Sequence, residues 1–393
     1  MSRTVLRTPL CDLLGIEYPV ILAGMGAGSG GSALAELVAA VSEAGGLGVL
    51  GAAGLSPAQI HEQCAKVRSL TKKPFGVDIL LPGNTAEAPP AANGSGGAPE
   101  GGPRSPLDLL PPQYKEWVDN AIEHFGLQPP PPPPPSPPAR DQAATGDRRS
   151  RELQQVEAIL EERVAVFASG LGNPAPYVQR FHDVGTKVIA LVGNVKNARR
   201  VAEGGADVVV AQGYEAGGHT GRVGTFALVP QVVDAVAPTP VVAAGGIGDG
   251  RGVAAAIALG AQGVWVGTAF LATYEANVLP ELKERIVNAT EEDTRVTRLY
   301  SGKTMRNINN PLIEYWEESG LPALPMGLQG IVSGRVTAAA RASGHPELTM
   351  NPAGQIAGMI KRVRPAREVL EEMVDGAARV LAELAASRVT VSV

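Results

Sequence analysis

The stretch PVVAAGGIGDGRGVAAAIALGAQGVWVGT, Pro240 to Thr268, decides the fold. It opens and closes on short apolar runs, PVVAAGG (Pro240 to Gly246) and GVWVGT (Gly263 to Thr268), with an alanine-rich helical segment, Arg251 to Leu259, between them. An apolar run too continuous to alternate reads as a strand buried on both faces, and strand, helix, strand in that order reads as a parallel βα unit. The same rhythm recurs upstream in PVILAG (Pro19 to Gly24), LGVLG (Leu47 to Gly51), FGVDILL (Phe75 to Leu81), VAVFAS (Val164 to Ser169), KVIALV (Lys187 to Val192) and DVVVAQG (Asp207 to Gly213). Helical segments fall between runs, at Ala33 to Ala44, Pro57 to Arg68 and Asn173 to Asp183. Eight such strands with right-handed crossovers close most simply into a (β/α)8 TIM barrel, an α/β fold; a doubly wound open sheet is the competitor.

Two interruptions break the rhythm. The first, residues 82–149, contains APPAANGSGGAPEGGPRSP and the unbroken proline run Pro129 to Pro135, so it is expected to be a largely disordered or polyproline insertion around one helix, Gln113 to Phe125. A proline tract of this kind can also serve as ligand for a protein module. The second, residues 274–330, is charged, helical in character and holds half of the aromatics of the C-terminal half; following the eighth strand, it is expected to form a small helical cap over the barrel mouth. The barrel is then residues 1–81 and 150–273, completed by C-terminal helices within 331–393.

At 393 residues and 44% hydrophobic content the chain can bury a large core, and its net charge of −5, with both signs interspersed, argues against a nucleic-acid partner. Cys11 and Cys64 are the only cysteines, neither spaced for a metal nor forming a disulfide framework, which suits a reducing compartment; the cytoplasm is the expected location. No run is long enough to span a membrane, so none is expected as partner.

The chemistry is expected at the C-terminal ends of the last strands. Gly245 and Gly246 after the seventh strand, and Gly267 and Thr268 after the eighth, open helices, which is where such barrels hold a phosphate with backbone N–H groups and a helix dipole. Arg251 is expected to face solvent or Asp249. No GxxxxGK[ST] motif is present, so a phosphate-bearing cofactor fits better than nucleotide hydrolysis, and flavin mononucleotide would lay its ring across the mouth. Beside it the sixth loop, AQGYEAGGHTGRVG (Ala211 to Gly224), presents His219 between glycines. An imidazole there can accept a proton or donate a hydrogen bond near neutral pH, making His219 the candidate catalytic residue. Glu215 reads as a loop-stabilising carboxylate, and His219 with Glu215 alone is too few ligands for a metal. His61, His124, His182 and His345 read as surface or packing residues.

QGYEAGGHTG, AAGGIGDGRGVAAAIALGAQGVWVGTAF, AVSEAGGLGVLG and PFGVDILLP together resemble the nitronate monooxygenase family, formerly 2-nitropropane dioxygenases, and more distantly the flavin-dependent enoyl-acyl carrier protein reductases. The resemblance implies an FMN-containing TIM barrel that oxidises alkyl nitronates, or nitroalkanes deprotonated by His219, with dioxygen to a carbonyl compound and nitrite. It implies flavin contacts from Ala23, Gly24 and Met25 of AGMG, from Gln212, Gly217 and Gly218, and from Gly245, Gly246, Gly267 and Thr268 at the phosphate. It also implies one from Asp78, where the family often has asparagine; a carboxylate accepts hydrogen bonds but cannot donate an N–H. SGKTMRNINN resembles the cap segment, and AGQIAG the returning helix, which brings Gln355 to the pocket.

Two other functions share these features. An NAD(P)H-dependent flavin reductase acting on a quinone or enoyl thioester would use the same loops and histidine. A non-catalytic flavin-binding scaffold could use the proline tract to recruit partners. A dehydrogenase of the inosine-monophosphate type needs a loop cysteine that neither Cys11 nor Cys64 supplies.

Overall fold

In the computed structural model, which describes residues 5–26, 31–81, 110–129, 148–384 and 386, every one of the eight apolar runs forms a strand of one parallel sheet. These are β1 (Val20–Leu22), β2 (Gly48–Gly51), β3 (Phe75–Leu80), β4 (Val166–Leu171), β5 (Lys187–Val192), β6 (Val208–Gln212), β8 (Val241–Ala244) and β9 (Gly263–Val266). The order β1-β9-β8-β6-β5-β4-β3-β2 is closed by the parallel bridge between Ile21 and Leu47, in which Leu22 N–H donates to the Leu47 carbonyl at 2.9 Å and Leu47 N–H to that of Val20 at 3.0 Å. The sheet is therefore a (β/α)8 TIM barrel and not an open doubly wound sheet.

Side-chain parity explains why the runs carry no polar alternation. In β6, Val208 and Val210 point into the lumen with Val166, Ile189 and Val242, whereas Val209 and Ala211 pack outward against the helices. Both faces are dry, so both must be apolar. The helix Pro9–Leu14 stoppers the N-terminal end of the lumen with Leu10, Cys11 and Leu14. The helix Ala366–Glu383 packs on the outer wall, where Gly250 lies so close to it that a Cβ there would fall 2.3 Å from the Ala377 nitrogen.

A second hydrophobic cluster stands apart from the barrel. Residues 274–330, read as helical, supply the helices Pro280–Asn288 and Pro311–Glu318 and also two strands, β10 (Thr294–Thr297) and β11 (Met305–Ile308). These strands pair antiparallel, and β11 pairs in turn with a two-residue strand, β7 (Gly218–His219), from the sixth barrel loop. The helix Leu328–Ala342, assigned from sequence to the barrel, contributes Val332, Val336 and Ala339 to this cap instead. The helix expected at Gln113 to Phe125 is found at Pro112–His124 and joins the same cluster, with Trp117 edge-on to Trp316 at 5.0 Å. The proline run beyond Pro129 and residues 82–109 and 130–147 lie outside the described residues.

Candidate active site

Extending the lumen parity one step past its apolar layers sets the floor of the C-terminal mouth. The polar side chains that arrive there are Asp78 from β3 and Gln212 from β6; Ala23, Gly170 and Gly267 around them are small. Gln212 donates from Nε2 to the His219 carbonyl at 2.6 Å, so the strand end braces the loop it feeds. Ala23 N–H donates to the Val266 carbonyl at 2.8 Å, and the sulfur of Met25 would stand 3.3 Å from a Cβ on Gly267, which brings the AGMG segment against the loop after β9.

The sixth loop is fixed at both ends. Tyr214 N–H donates to the Val223 carbonyl at 2.8 Å, and the Glu215 carboxylate accepts the Thr225 N–H and hydroxyl, each at 2.9 Å to Oε2. Thr225 opens the helix Thr225–Val236, so Glu215 satisfies an N-terminal N–H that would otherwise lack a partner. These bonds are those of the loop-stabilising carboxylate read from sequence. Gly217 presses against the backbone of the returning segment, where a Cβ would lie 2.7 Å from the Ala353 carbonyl carbon and the Gly354 nitrogen. Gly218 has φ +70° with open space around it, so here glycine is required by conformation and not by room.

That turn delivers His219 into β7, opposite Met305 of β11. The pairing continues as Thr220 N–H to the Thr304 carbonyl at 3.3 Å and Thr304 hydroxyl to the Thr220 carbonyl at 2.9 Å. Arg306, buried beneath, donates to the Tyr214 carbonyl at 3.1 Å with its guanidinium 4.6 Å over the Tyr214 ring. His219 Nε2 lies 2.9 Å from the Ser301 hydroxyl. Burial, and then the positive charge of Lys303, hold the imidazole pKa below its ordinary value. It is therefore neutral at physiological pH, the state in which it can take a proton.

The glycine loops are adjacent because Ala244 pairs with Trp265 across β8 and β9. Gly245 and Gly246 adopt left-handed φ values of +90° and +73°. The helix Gly250–Ala258 that follows is capped by its own Asp249, whose carboxylate accepts Arg251 N–H at 2.9 Å and Gly252 N–H at 3.3 Å. Arg251 pairs with the same Asp249. The Thr268 hydroxyl accepts the Gly354 N–H at 2.9 Å, which leaves its own hydrogen to donate. Gln355 N–H donates to the Glu215 carbonyl at 3.0 Å, so the returning segment crosses beside the sixth loop.

A family profile described as nitronate monooxygenase matches residues 7–96 and 139–376. A protein of Mycobacterium tuberculosis named as a monooxygenase is 38% identical over 383 residues, covering 94% of this chain and 96% of the relative. Among solved structures, nitroalkane oxidase from Streptomyces ansochromogenes superposes with TM-score 0.76 at 28% identity, covering 95% of this chain and 99% of the other. FabK from Thermotoga maritima superposes with TM-score 0.72 at 32% identity, covering 97% and 99%. This chain belongs to the nitronate monooxygenase family.

The nitronate monooxygenase family consists of flavin-dependent oxidoreductases, and the mouth of this barrel fits such a cofactor. Its floor is flat and partly polar. A Cβ on Gly246 would meet nothing nearer than the Glu215 side chain at 3.5 Å, whereas one on Gly245 would press on the Gly213 carbonyl oxygen at 3.0 Å and the Ala216 nitrogen at 3.1 Å. Among the described residues no group of three metal-ligating side chains occurs. The remaining histidines are engaged elsewhere: His61 with Glu162, His182 with Asp207, His345 with Glu347, and His124 stacked on Tyr315. Ser301, Thr225 and Arg306 were not singled out from sequence; each acts on loop six through a tertiary contact that no local spacing encodes. No helix among the described residues is long and apolar enough to cross a membrane.

Proposed function

We propose that this protein binds FMN at the barrel mouth and oxidises alkyl nitronates, and nitroalkanes that it first deprotonates, with dioxygen to a carbonyl compound and nitrite. The observation that carries the reading is His219, half-buried and held at the mouth by the cap sheet within hydrogen-bond reach of Ser301, where burial lowers its pKa. Ala23, Gly24, Met25, Asp78, Gln212, Gly217 and Gly218 would border the ring, and Gly245, Gly246, Gly267 and Thr268 the single phosphate, with Gln355 at the pocket edge. Bound flavin would supply the electron acceptor and the site at which dioxygen is reduced.

The residues of the chain do the rest. With Nε2 engaged by Ser301, the nitrogen that His219 offers to a substrate C–H is Nδ1. When Ser301 turns its hydrogen toward the Lys303 carbonyl, 3.4 Å away, it accepts from Nε2–H and leaves Nδ1 as the free base. After proton transfer the imidazolium faces the nitronate anion it has made, and the pair of opposite charges in a water-poor cleft holds the substrate over the floor.

A second reading, an NAD(P)H-dependent flavin reductase, draws support from the likeness to FabK at 32% identity. One comparison separates the two: oxygen uptake by the FMN-reconstituted protein with a pre-formed nitronate, against anaerobic bleaching of the flavin by NADPH. Rapid uptake without bleaching supports the oxygenase. Bleaching without uptake selects the reductase.

A further inference from the structure

Asp78 lies in the C-terminal half of β3 with its side chain at the mouth and is only 5% exposed. One carboxyl oxygen, Oδ1, accepts the Gly170 N–H at 2.7 Å. The backbone walls it in on two sides: a Cβ on Gly24 would fall 2.2 Å from the Asp78 Cβ, and one on Gly170 would fall 2.9 Å from each carboxyl oxygen. Glycine at both positions is what lets the carboxyl fit. The second oxygen, Oδ2, takes no hydrogen bond among the described residues and lies against Gly24, one of the residues facing the cofactor space.

An ionised carboxylate in this slot would have one hydrogen bond for about four lone-pair sites. No charged side chain among the described residues acts on it; the groups packed against it are the backbones of Gly24, just past β1, and Gly170 of β4, while Ala52 N–H after β2 donates to the Asp78 main-chain carbonyl. Burying an unpaired charge costs far more than burying a neutral acid. Desolvation accordingly pushes the Asp78 pKa well above the usual carboxylate range, opposed only by the Gly170 N–H.

We propose that Asp78 is held as the neutral carboxylic acid and donates its Oδ2–H to an acceptor atom of the flavin ring. The inference rests on the flavin reading above. A carboxylic acid and a carboxamide share a shape and can each present one donor and one acceptor, so asparagine is the matched replacement at this position. A neutral donor also adds no negative charge beside a ring that must take up electrons.

The test compares the FMN-loaded wild type with Asp78→Asn and Asp78→Leu, reading the FMN dissociation constant and the flavin midpoint potential. A protonated-carboxyl infrared band at pH 7 is read on loaded and FMN-free protein. Asp78→Asn should bind FMN within about threefold of wild type at an unshifted potential, while Asp78→Leu should bind up to about tenfold more weakly through loss of one hydrogen bond. The infrared band should be present in wild type and absent from Asp78→Asn. Absence of the band in wild type, a clear rise in potential in Asp78→Asn, or unchanged binding by Asp78→Leu overturns the proposal. Failure of the wild type to bind FMN overturns the flavin reading and the donor role with it, whereas the band in FMN-free protein still decides the protonation state by itself.

Discussion

His219 of the barrel and Ser301 of the cap meet at 2.9 Å, Nε2 to Oγ, across the junction of two separate hydrophobic cores. The contact spans 82 residues of chain and is positioned by the pairing of β7 with β11. It fixes the plane of the imidazole from the cap side.

Replacing His219 with asparagine keeps a polar group on the loop and removes the base. Activity on a neutral nitroalkane should fall by roughly 10²–10⁴, the usual worth of a general base. Turnover of the pre-formed nitronate should be largely kept, since it needs no deprotonation. Steady-state oxygen uptake with both substrates checks this; an equal loss on both assigns His219 to anion binding instead.

Ser301→Ala removes the orienting hydroxyl but leaves the imidazole. The loss in kcat on nitroalkane should be about two- to tenfold, the worth of a single hydrogen bond, with KM little changed. Ser301→Thr should recover most of it. Parallel changes in kcat and KM would point to cap disruption and not to a positioning role.

The pH dependence follows from the direction of the His219 shift. A histidine whose pKa is lowered in the folded protein binds its proton more weakly there, so the active neutral form persists below pH 6.5 and is lost only as pH falls through the depressed value. The acid limb of kcat/KM on nitroalkane should therefore lie below 6.5. Lys303→Gln removes one of the two causes and should move that limb to higher pH without abolishing activity. A limb that stays in place in the variant rules out the Lys303 charge as a contributor.

Most of the fold was legible because the barrel is written locally: each strand is a short run apolar on both faces, and each loop that matters follows one directly. Gly245, Gly246, Gln212 and His219 could be placed on strand ends by that logic alone. The cap could not. β10 and β11 are four-residue strands with polar, poorly alternating sequences, TRVT and MRNI, that pair with each other, and β11 alone pairs with a loop far away in the chain. The same distance hid Ser301.

Glu215 tests the structural reading of loop six. Glu215→Ala leaves the Thr225 N–H without its side-chain partner and should cost about 1 kcal/mol, within the range for a lost helix cap, seen as a lower Tm. Glu215→Gln should retain most activity. A loss in kcat comparable to that of the His219 variant, with Tm unchanged, would make the carboxylate catalytic.

Trp117 ties the inserted helix to the cap, 95% buried between Tyr315 and Trp316 by its 5% exposure. Trp117→Ala should destabilise the cap by about 3–5 kcal/mol, as for other buried aromatics. The barrel core is separate, so unfolding should split into two transitions, with the earlier one accompanied by loss of activity. A single transition at the wild-type temperature counts against any contribution of this helix to the cap.

Because Gly218 and His219 are at once the tip of a barrel loop and the edge strand of the cap sheet, the roof and the proton acceptor form one mechanical part. Any movement that lifted the roof with this pairing intact would carry the imidazole away from the floor. On the proposed chemistry an open enzyme would thus also be a disarmed one, and deprotonation would wait for the entrance to shut.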